Sequence, residues 1–315
     1  MPTVWQMSSG PASGPYAETL IDHGVALVGP GDTGPWRQGK PMADWPQVRL
    51  FACDVQEGDI LLLRSGSSLL QAIGIVASGY TYLDQFDDVH GWDLQHARRV
   101  NWFRLPEEHR FDTGVFMGAS FGRVMQPEVI TYAQRFVNSP PTDWQSATLP
   151  PLPPDEPDLE EVPADLQEIV AVACDLGGGL YWDGQAFGPP PTEREMVAHL
   201  VVPFLRSLGW WQEHIALEWQ YVDVTLFRAL PRSAETCHLI VEAKQVGYGL
   251  DDALEQAKDY ARTIGAQCDI LVTNGIRYRL HARDQGYAPV AYANLCRLKS
   301  SATNLFARLM RDRGM

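Results

Sequence analysis

The sequence holds no uninterrupted apolar run near the roughly 18 residues that a helical membrane span requires, which excludes an integral helical membrane protein. Its first residues, MPTVWQMSSG, carry neither a basic nor an apolar stretch, so no secretion signal is expected and the cytoplasm is the expected compartment. Cysteine is scarce. Cys53, Cys174, Cys237, Cys268 and Cys296 are odd in number, far apart and without a C-x-x-C pair. That pattern argues against a disulfide framework or a zinc knuckle, and all five are expected as buried thiols. GPGDTG lacks the G-K-[ST] of a Walker loop, and no Ser-His-Asp order or nucleophile elbow is visible. His23, His90 and His109 lack metal-ligand spacing and read as structural.

Basic charge is also short, with 25 Lys+Arg against 39 Asp+Glu and a net of −14. The deficit is uneven. Residues 1–138 carry 10 basic and 15 acidic side chains, residues 139–192 none and 10, and residues 193–315 carry 15 and 14. Whole-chain charge governs solubility and steering, so the balance weakens the case for nonspecific DNA binding and leaves a specific site open.

What is present is a globular composition of 315 residues, 45% apolar and 20% charged, long enough for two domains. The stretch from Ser139 to Pro163 holds 8 of the 23 prolines and has no apolar periodicity, which predicts an extended, semi-rigid spacer. The expected organisation is therefore one domain over 1–138, a Pro-rich acidic linker over 139–163 and a second domain over 164–315. A helix is expected from Ala164 to Asp175.

In the first domain, short runs such as TVWQM, GVALVG, DILLLR, QAIGIVAS and RVNWFRL lie between Gly, Pro and Asp and predict strands. Asp59–Arg64 and Leu70–Ser78 form an expected hairpin, and 127–137 an expected closing helix. A small β-barrel is the predicted shape. Trp36, Trp45 and Trp92 fall in turn-like contexts, and with Tyr80 and Tyr82 they are candidates to wall a pocket for an unstacked base. The plainer reading makes each of them barrel core, as Trp5 and Trp102 are expected to be. His96, Arg98 and Arg99 form the one compact basic cluster, suited either to phosphate or to a solvated strand end.

The second domain alternates. A helix is expected over Thr192–Leu208, kinked or tightened by Pro203. Strands follow at His214–Gln220, Tyr221–Ala229 and Cys237–Val246, then a helix over Leu250–Ile264. Strands at Asp269–Thr273 and Arg277–Ala282 and a last helix near Leu298–Asp312 complete an α/β sandwich. In VDVTLF, Val222, Val224 and Leu226 share one face and Asp223 and Thr225 the other. In HLIVEAKQ, Glu242 and Lys244 oppose Leu239, Val241 and Ala243. Two strands can thus aim Asp223, Glu242 and Lys244 at one spot, where hard carboxylate oxygens suit Mg²⁺. A plain cross-strand salt bridge remains the alternative. Thr192 and Glu195 fit a capping box, which leaves Glu193 to reach the site. Gln256 and Tyr260, one helical turn apart, can face it too.

These stretches together resemble the PD-(D/E)xK nuclease superfamily, above all the nuclease domain that opens type I restriction subunits. EREMVAHLVVPFLRSLGWW, YVDVTLF, HLIVEAKQ, EQAKDYA and ILVTNGIRYRLH occur in the family's order over 193 to about 281. The resemblance implies Asp223 and Glu242 as metal ligands, with Glu193 (or Glu195) as the helix glutamate. It implies Lys244 as catalytic lysine, Gln256 and Tyr260 as its support, and Mg²⁺, or Mn²⁺ in its place, as cofactor. With no helicase or translocase motif among these 315 residues, a type I motor subunit is not expected. VWQMSSG, GVALVGPGD, EGDILLLR, GIVASGYTY and HARRVNWF, over about 3–105, are similar to PUA-like domains of the EVE/YTH type, with Ser8 where such domains often carry arginine.

The expected fold class is α+β in two domains, an N-terminal PUA-like β-barrel and a C-terminal PD-(D/E)xK α/β sandwich. The implied function is that of a modification-dependent, type IV-like restriction endonuclease of phage defence. Its partner would be double-stranded DNA carrying a modified base, flipped into a pocket of Trp36, Trp45, Tyr80, Tyr82 and Trp92 with Arg98 and Arg99 nearby. A homodimer on DNA would cut both strands. Two alternatives stay open: a reader of modified DNA or RNA whose nuclease fold is an inactive platform, and an RNA-directed nuclease.

Overall fold

The computed structural model of the chain describes residues 2–10, 16–37, 45–112, 114–141, 144, 148–182, 191–245 and 248–311, with no side chains described over 176–182. The architecture is mixed α+β, with one curled seven-stranded sheet and a second, six-stranded sheet. The chain divides into compact units at 1–155 and 156–315.

The first unit is built on β1 (Val4–Ser8), β2 (Val25–Val28), β3 (Ile60–Ser65), β4 (Leu69–Val76), β5 (Thr81–Tyr82), β6 (His96–Arg110) and β7 (Phe121–Arg123). Its order is β2-β6-β4-β3-β1-β7, with β5 also on β6. Among the described residues no pairing joins β7 to β2, so the sheet curls without closing into the expected barrel. Helices α1 (Ala17–Asp22), α2 (Pro46–Cys53) and α3 (Pro127–Asn138) cover it. The continuous apolar run of β3 reflects burial on both faces. Leu61 and Leu63 meet Trp5, Phe51 and Phe121 on one side, while Ile60 and Leu62 meet Ile73, Val129 and Ala133 on the other. The β3–β4 hairpin forms as its turn chemistry predicts.

The Pro-rich stretch is packed at both ends instead of standing free as a spacer. Trp144 is buried, its indole N–H donating to the Asn101 carbonyl at 3.2 Å, and its ring meets Phe103 and Phe136. Farther along, the Glu156 carboxylate accepts from the Ser300 and Ser301 hydroxyls at 2.7 and 2.9 Å, and Asp158 pairs with Lys299 at 2.9 Å. The few apolar and acidic side chains scattered among the prolines find partners that composition does not reveal.

The second unit carries α4 (Ala164–Trp182), longer than expected, and a broken helix. Helix α5 (Glu193–Met196) passes through a π-helical turn, Val197–Val201, into α6 (Val202–Ser207). Pro203 therefore widens the helix rather than kinking or tightening it. Its ring lacks an N–H for the carbonyl one turn back and crowds it, and the five-residue spacing relieves both. Strands β8 (Ile215–Trp219), β9 (Val222–Phe227), β10 (Cys237–Ala243), β11 (Asp269–Thr273), β12 (Arg277–Ala282) and β13 (Ala288–Asn294) lie in the order β13-β12-β11-β10-β9-β8. All neighbours are antiparallel except β10 and β11, which the crossover helix α7 (Leu254–Ile264) joins in parallel. Helix α8 (Ala302–Leu309) follows. Strand β13 escapes the sequence pattern because Pro289 argues against a strand; it lies at the sheet edge, where a missing N–H is tolerated.

Two clusters fill this unit. Val224, Leu226, Leu239, Val241 and Ala243 pack with Leu200, Phe204 and Phe306 on one face of the sheet. Ile240, Ile270 and Val272 pack with Leu254, Ala257 and Ala261 of α7 on the other. Val222, expected beside Val224, packs with this second cluster instead, where β9 enters from a tight turn. The cysteine expectation also needs correction. Cys237 and Cys268 are buried, but Cys174 is intermediate, and Cys53, closing α2, and Cys296, after β13, are exposed.

Candidate active site and aromatic cluster

Strand alternation places Glu242 on the α7 face of β10, beside Ile240, while its neighbours Val241 and Ala243 point to the opposite core. The Asp223 carboxylate on β9 is fixed by a main-chain donor, since the Ala243 N–H donates to its Oδ2 at 2.8 Å. Lys244, just past β10, is anchored by its own backbone N–H to the Thr273 carbonyl at 2.8 Å. Its ammonium donates to Glu242 Oε1 at 3.0 Å and to Gln256 Oε1 at 3.1 Å. The Gln256 amide N–H in turn donates to the Tyr260 hydroxyl at 2.9 Å, which orients the amide so that its oxygen faces the lysine. Asp223, Glu242, Lys244, Gln256 and Tyr260 therefore belong to one connected cluster.

The salt bridge between Lys244 and Glu242 is real, yet it leaves the cluster unbalanced. The Glu242 side chain is only 2% exposed, and its second oxygen, Oε2, is buried without a hydrogen-bond partner. Burial, then the neighbouring Asp223 charge, push the Glu242 carboxyl up to about 7 against the pull of Lys244. Burial also raises Asp223, with the Ala243 N–H and Lys244 opposing it. Burial works against the charge on Lys244, but its bond to Glu242 together with the charges of Glu242, Glu193 and Asp223 outweighs that, and the ammonium is held above its usual range. A buried carboxylate oxygen with nothing to bind it, close to a second carboxylate, is costly unless a cation supplies the missing partner. Mg²⁺ is commonly held by one or two carboxylates and several waters, so the pair Asp223 and Glu242 fits it.

Glu195 closes a capping box with Thr192: the Thr192 N–H donates to its carboxylate at 2.8 Å and its own N–H donates to the threonine hydroxyl at 3.2 Å. Glu193 lies near enough for its charge to act on Glu242 and Lys244. Among the described residues no group of three or more His, Cys, Asp or Glu side chains is gathered to hold an ion. Sequence patterning also overlooked the Ala243 amide, since a backbone donor leaves no trace in residue identity.

In the first unit Tyr80 and Tyr82 converge on His96, which is fully buried. The main-chain N–H of Trp36 donates to the Tyr80 hydroxyl at 2.8 Å, and that hydroxyl meets His96 Nδ1 at 2.9 Å. His96 Nε2 lies 3.0 Å from both Thr33 Oγ1 and the Pro30 carbonyl, which assigns the ring proton to Nε2. Tyr82 packs edge-on against the imidazole and donates to the Gly31 carbonyl at 2.6 Å. Trp45 and Trp92 are partly buried against the surrounding core.

The basic cluster is corrected by this geometry. Arg98 is 3% exposed and spends its guanidinium on the carbonyls of Phe51, Ala52 and Ser78, the first two of which belong to the last turn of α2. Arg99 donates to the carbonyls of Gly24, His23 and Pro150. Both are internal braces rather than phosphate contacts or a solvated strand end. Their pairing with backbone oxygens is invisible to charge counting. The Gln95 side chain, missed by the sequence reading, is buried with neither amide atom hydrogen-bonded.

Residues 5–114 match a domain of unknown function, DUF8426. No curated protein matches the chain. Among solved structures, a fragment described as an HsdR subunit of a type I restriction enzyme from Vibrio vulnificus YJ016 is 21% identical over 38% of this chain and 25% of that one, with a TM-score of 0.26. The chain thus covers about a quarter of that relative's length. Protein Atu2648 from Agrobacterium tumefaciens is 15% identical over 49% of this chain and 99% of that one, also with a TM-score of 0.26. Superpositions this loose assign neither fold nor activity, and the chemistry rests on the residues themselves.

Proposed function

We propose that the second unit is a PD-(D/E)xK-type, metal-dependent phosphodiester hydrolase acting on DNA, and that the first is a PUA-like reader of a modified base. The observation that carries the hydrolase reading is the buried, unpartnered Glu242 Oε2 beside Asp223, with Lys244 held between Glu242 and Gln256.

Asp223 and Glu242 would hold Mg²⁺, or Mn²⁺ in its place, which when bound polarises a phosphate oxygen and lowers the pKa of a bound water. The chain's own groups do the rest. The Ala243 N–H keeps Asp223 from rotating away, so its free oxygen stays aimed at the site. Lys244, positioned by two acceptors, orients the attacking water and donates to the negative charge that develops on the phosphate. Tyr260 fixes the sense of the Gln256 amide and so the direction of the lysine. A plain salt bridge would not call for this second acceptor, nor for a tyrosine to orient it.

The reader assignment draws on the aromatic groups around His96, which suit stacking against an extruded base. Dimerisation on DNA follows from one site per chain and two strands to cut. The test is Asp223→Ala: metal-dependent cleavage of modified DNA should disappear in the variant, and cleavage at the wild-type rate would remove this site from the mechanism.

A further inference from the structure

Strands β8 and β9 meet in a two-residue turn, Gln220-Tyr221, with both residues at positive φ, 53° and 70°. Turns of this kind favour Asn and Gly, because a bulky side chain in left-handed backbone is strained. Glu218, just before the turn, is also at φ 52°. Tyr221 recovers nothing in return. Its exposure is 85%, and among the described residues it makes no ring contact and no side-chain hydrogen bond. An aromatic ring held in strained backbone and turned into water contributes nothing to folding, so its use lies in something that binds it.

Its position says what. The hairpin base is firm, with Trp219 edge-on against Phe227 at 5.0 Å and Glu218 paired with Arg194 at 2.8 Å. The tip is therefore presented, not loose. Tyr221 precedes Asp223 by two residues, roughly 7 Å of strand. Resting on the hydrolase reading above, we infer that Tyr221 stacks on a nucleobase that flanks the scissile phosphate. The ring would fix the strand's register across Asp223, Glu242 and Lys244. Stacking of this kind accepts any base, so it sets position and leaves sequence or modification choice to another part of the chain.

The test uses the full chain with Ca²⁺ and a fluorescein-labelled DNA of about 30 nucleotides, single-stranded and duplex, with affinity read by anisotropy. Tyr221→Ala should weaken binding roughly 5- to 100-fold, while Tyr221→Phe and Tyr221→Trp restore it. Tyr221→Gly should weaken binding equally yet raise the thermal midpoint, which separates lost stacking from lost folding. Unchanged affinity in Tyr221→Ala, failure of both aromatic variants to restore it, or no DNA binding by the wild type would overturn the inference. Cleavage in Mg²⁺ separates the two readings. If the wild type cuts, Lys244→Ala does not, and Tyr221→Ala binds normally, only the tyrosine assignment falls. If Tyr221→Ala loses binding but the wild type never cuts, the hydrolase reading falls and the stacking contact stands.

Discussion

Replacing Glu242 by glutamine should make the metal-free protein more stable at alkaline pH and no more stable at acid pH. Glu242 is held at about 7 in the folded chain against an ordinary 4.5. Below the ordinary value the carboxyl is neutral in both states and burial carries no charge penalty. As pH rises from 4.5 to about 7 the unfolded chain gives up its proton while the folded one keeps it, so stability falls across that window and levels off above it, where the folded chain buries a carboxylate. At about 1.4 kcal/mol per pH unit, the gap is worth roughly 3 kcal/mol as a ceiling. Glutamine can keep the acceptor for Lys244, but its NH₂ takes the place of the unpartnered Oε2 and finds no acceptor there, so a net gain of about 1–2 kcal/mol is expected near pH 8. Urea midpoints of wild type and Glu242→Gln, with EDTA, near pH 5 and pH 8 test this; the difference between proteins cancels titrations they share. Mg²⁺ should then stabilise the wild type far more than the variant. A glutamine advantage that is the same at both pH values, or a variant less stable near pH 8, would refute the burial argument.

Gln256→Ala removes the second acceptor of Lys244 and should lower the cleavage rate about 10- to 100-fold with little change in DNA affinity, measured by single-turnover kinetics. Arg98→Ala should cost the first unit about 2–4 kcal/mol in urea unfolding, because three carbonyls lose a charged donor, and should leave the salt slope of DNA binding unchanged. Gly74→Ala should destabilise by about 1–3 kcal/mol, since the added methyl would stand 2.6 Å from the Trp102 ring across the strand pair.

Much of the second unit was legible in its sequence because its signals are local. Strands β11 and β12 occupy the expected residues, the Thr192 and Glu195 pair caps its helix, and period-two alternation sets Glu242 and Lys244 against Leu239, Val241 and Ala243. What escaped depends on partners distant in the chain. Arg98 and Arg99 read as a surface cluster because nothing nearby in sequence announces the carbonyls they brace. Tyr80 and His96 were visible as residues, but their meeting through Trp36 and Thr33 joins segments up to 63 residues apart. The open edge of the first sheet is likewise a matter of which strands pair, and short apolar runs carry no record of that.

The central claim is tested most directly by digesting matched DNAs, unmodified or carrying 5-methylcytosine, 5-hydroxymethylcytosine, glucosylated cytosine or N6-methyladenine, with wild type and Lys244→Ala in Mg²⁺ and in Mn²⁺. The account predicts that the wild type cuts at least one modified DNA, spares its unmodified match, and that the variant cuts none. Equal cutting by wild type and variant, or no cutting of any DNA with either metal, would contradict it.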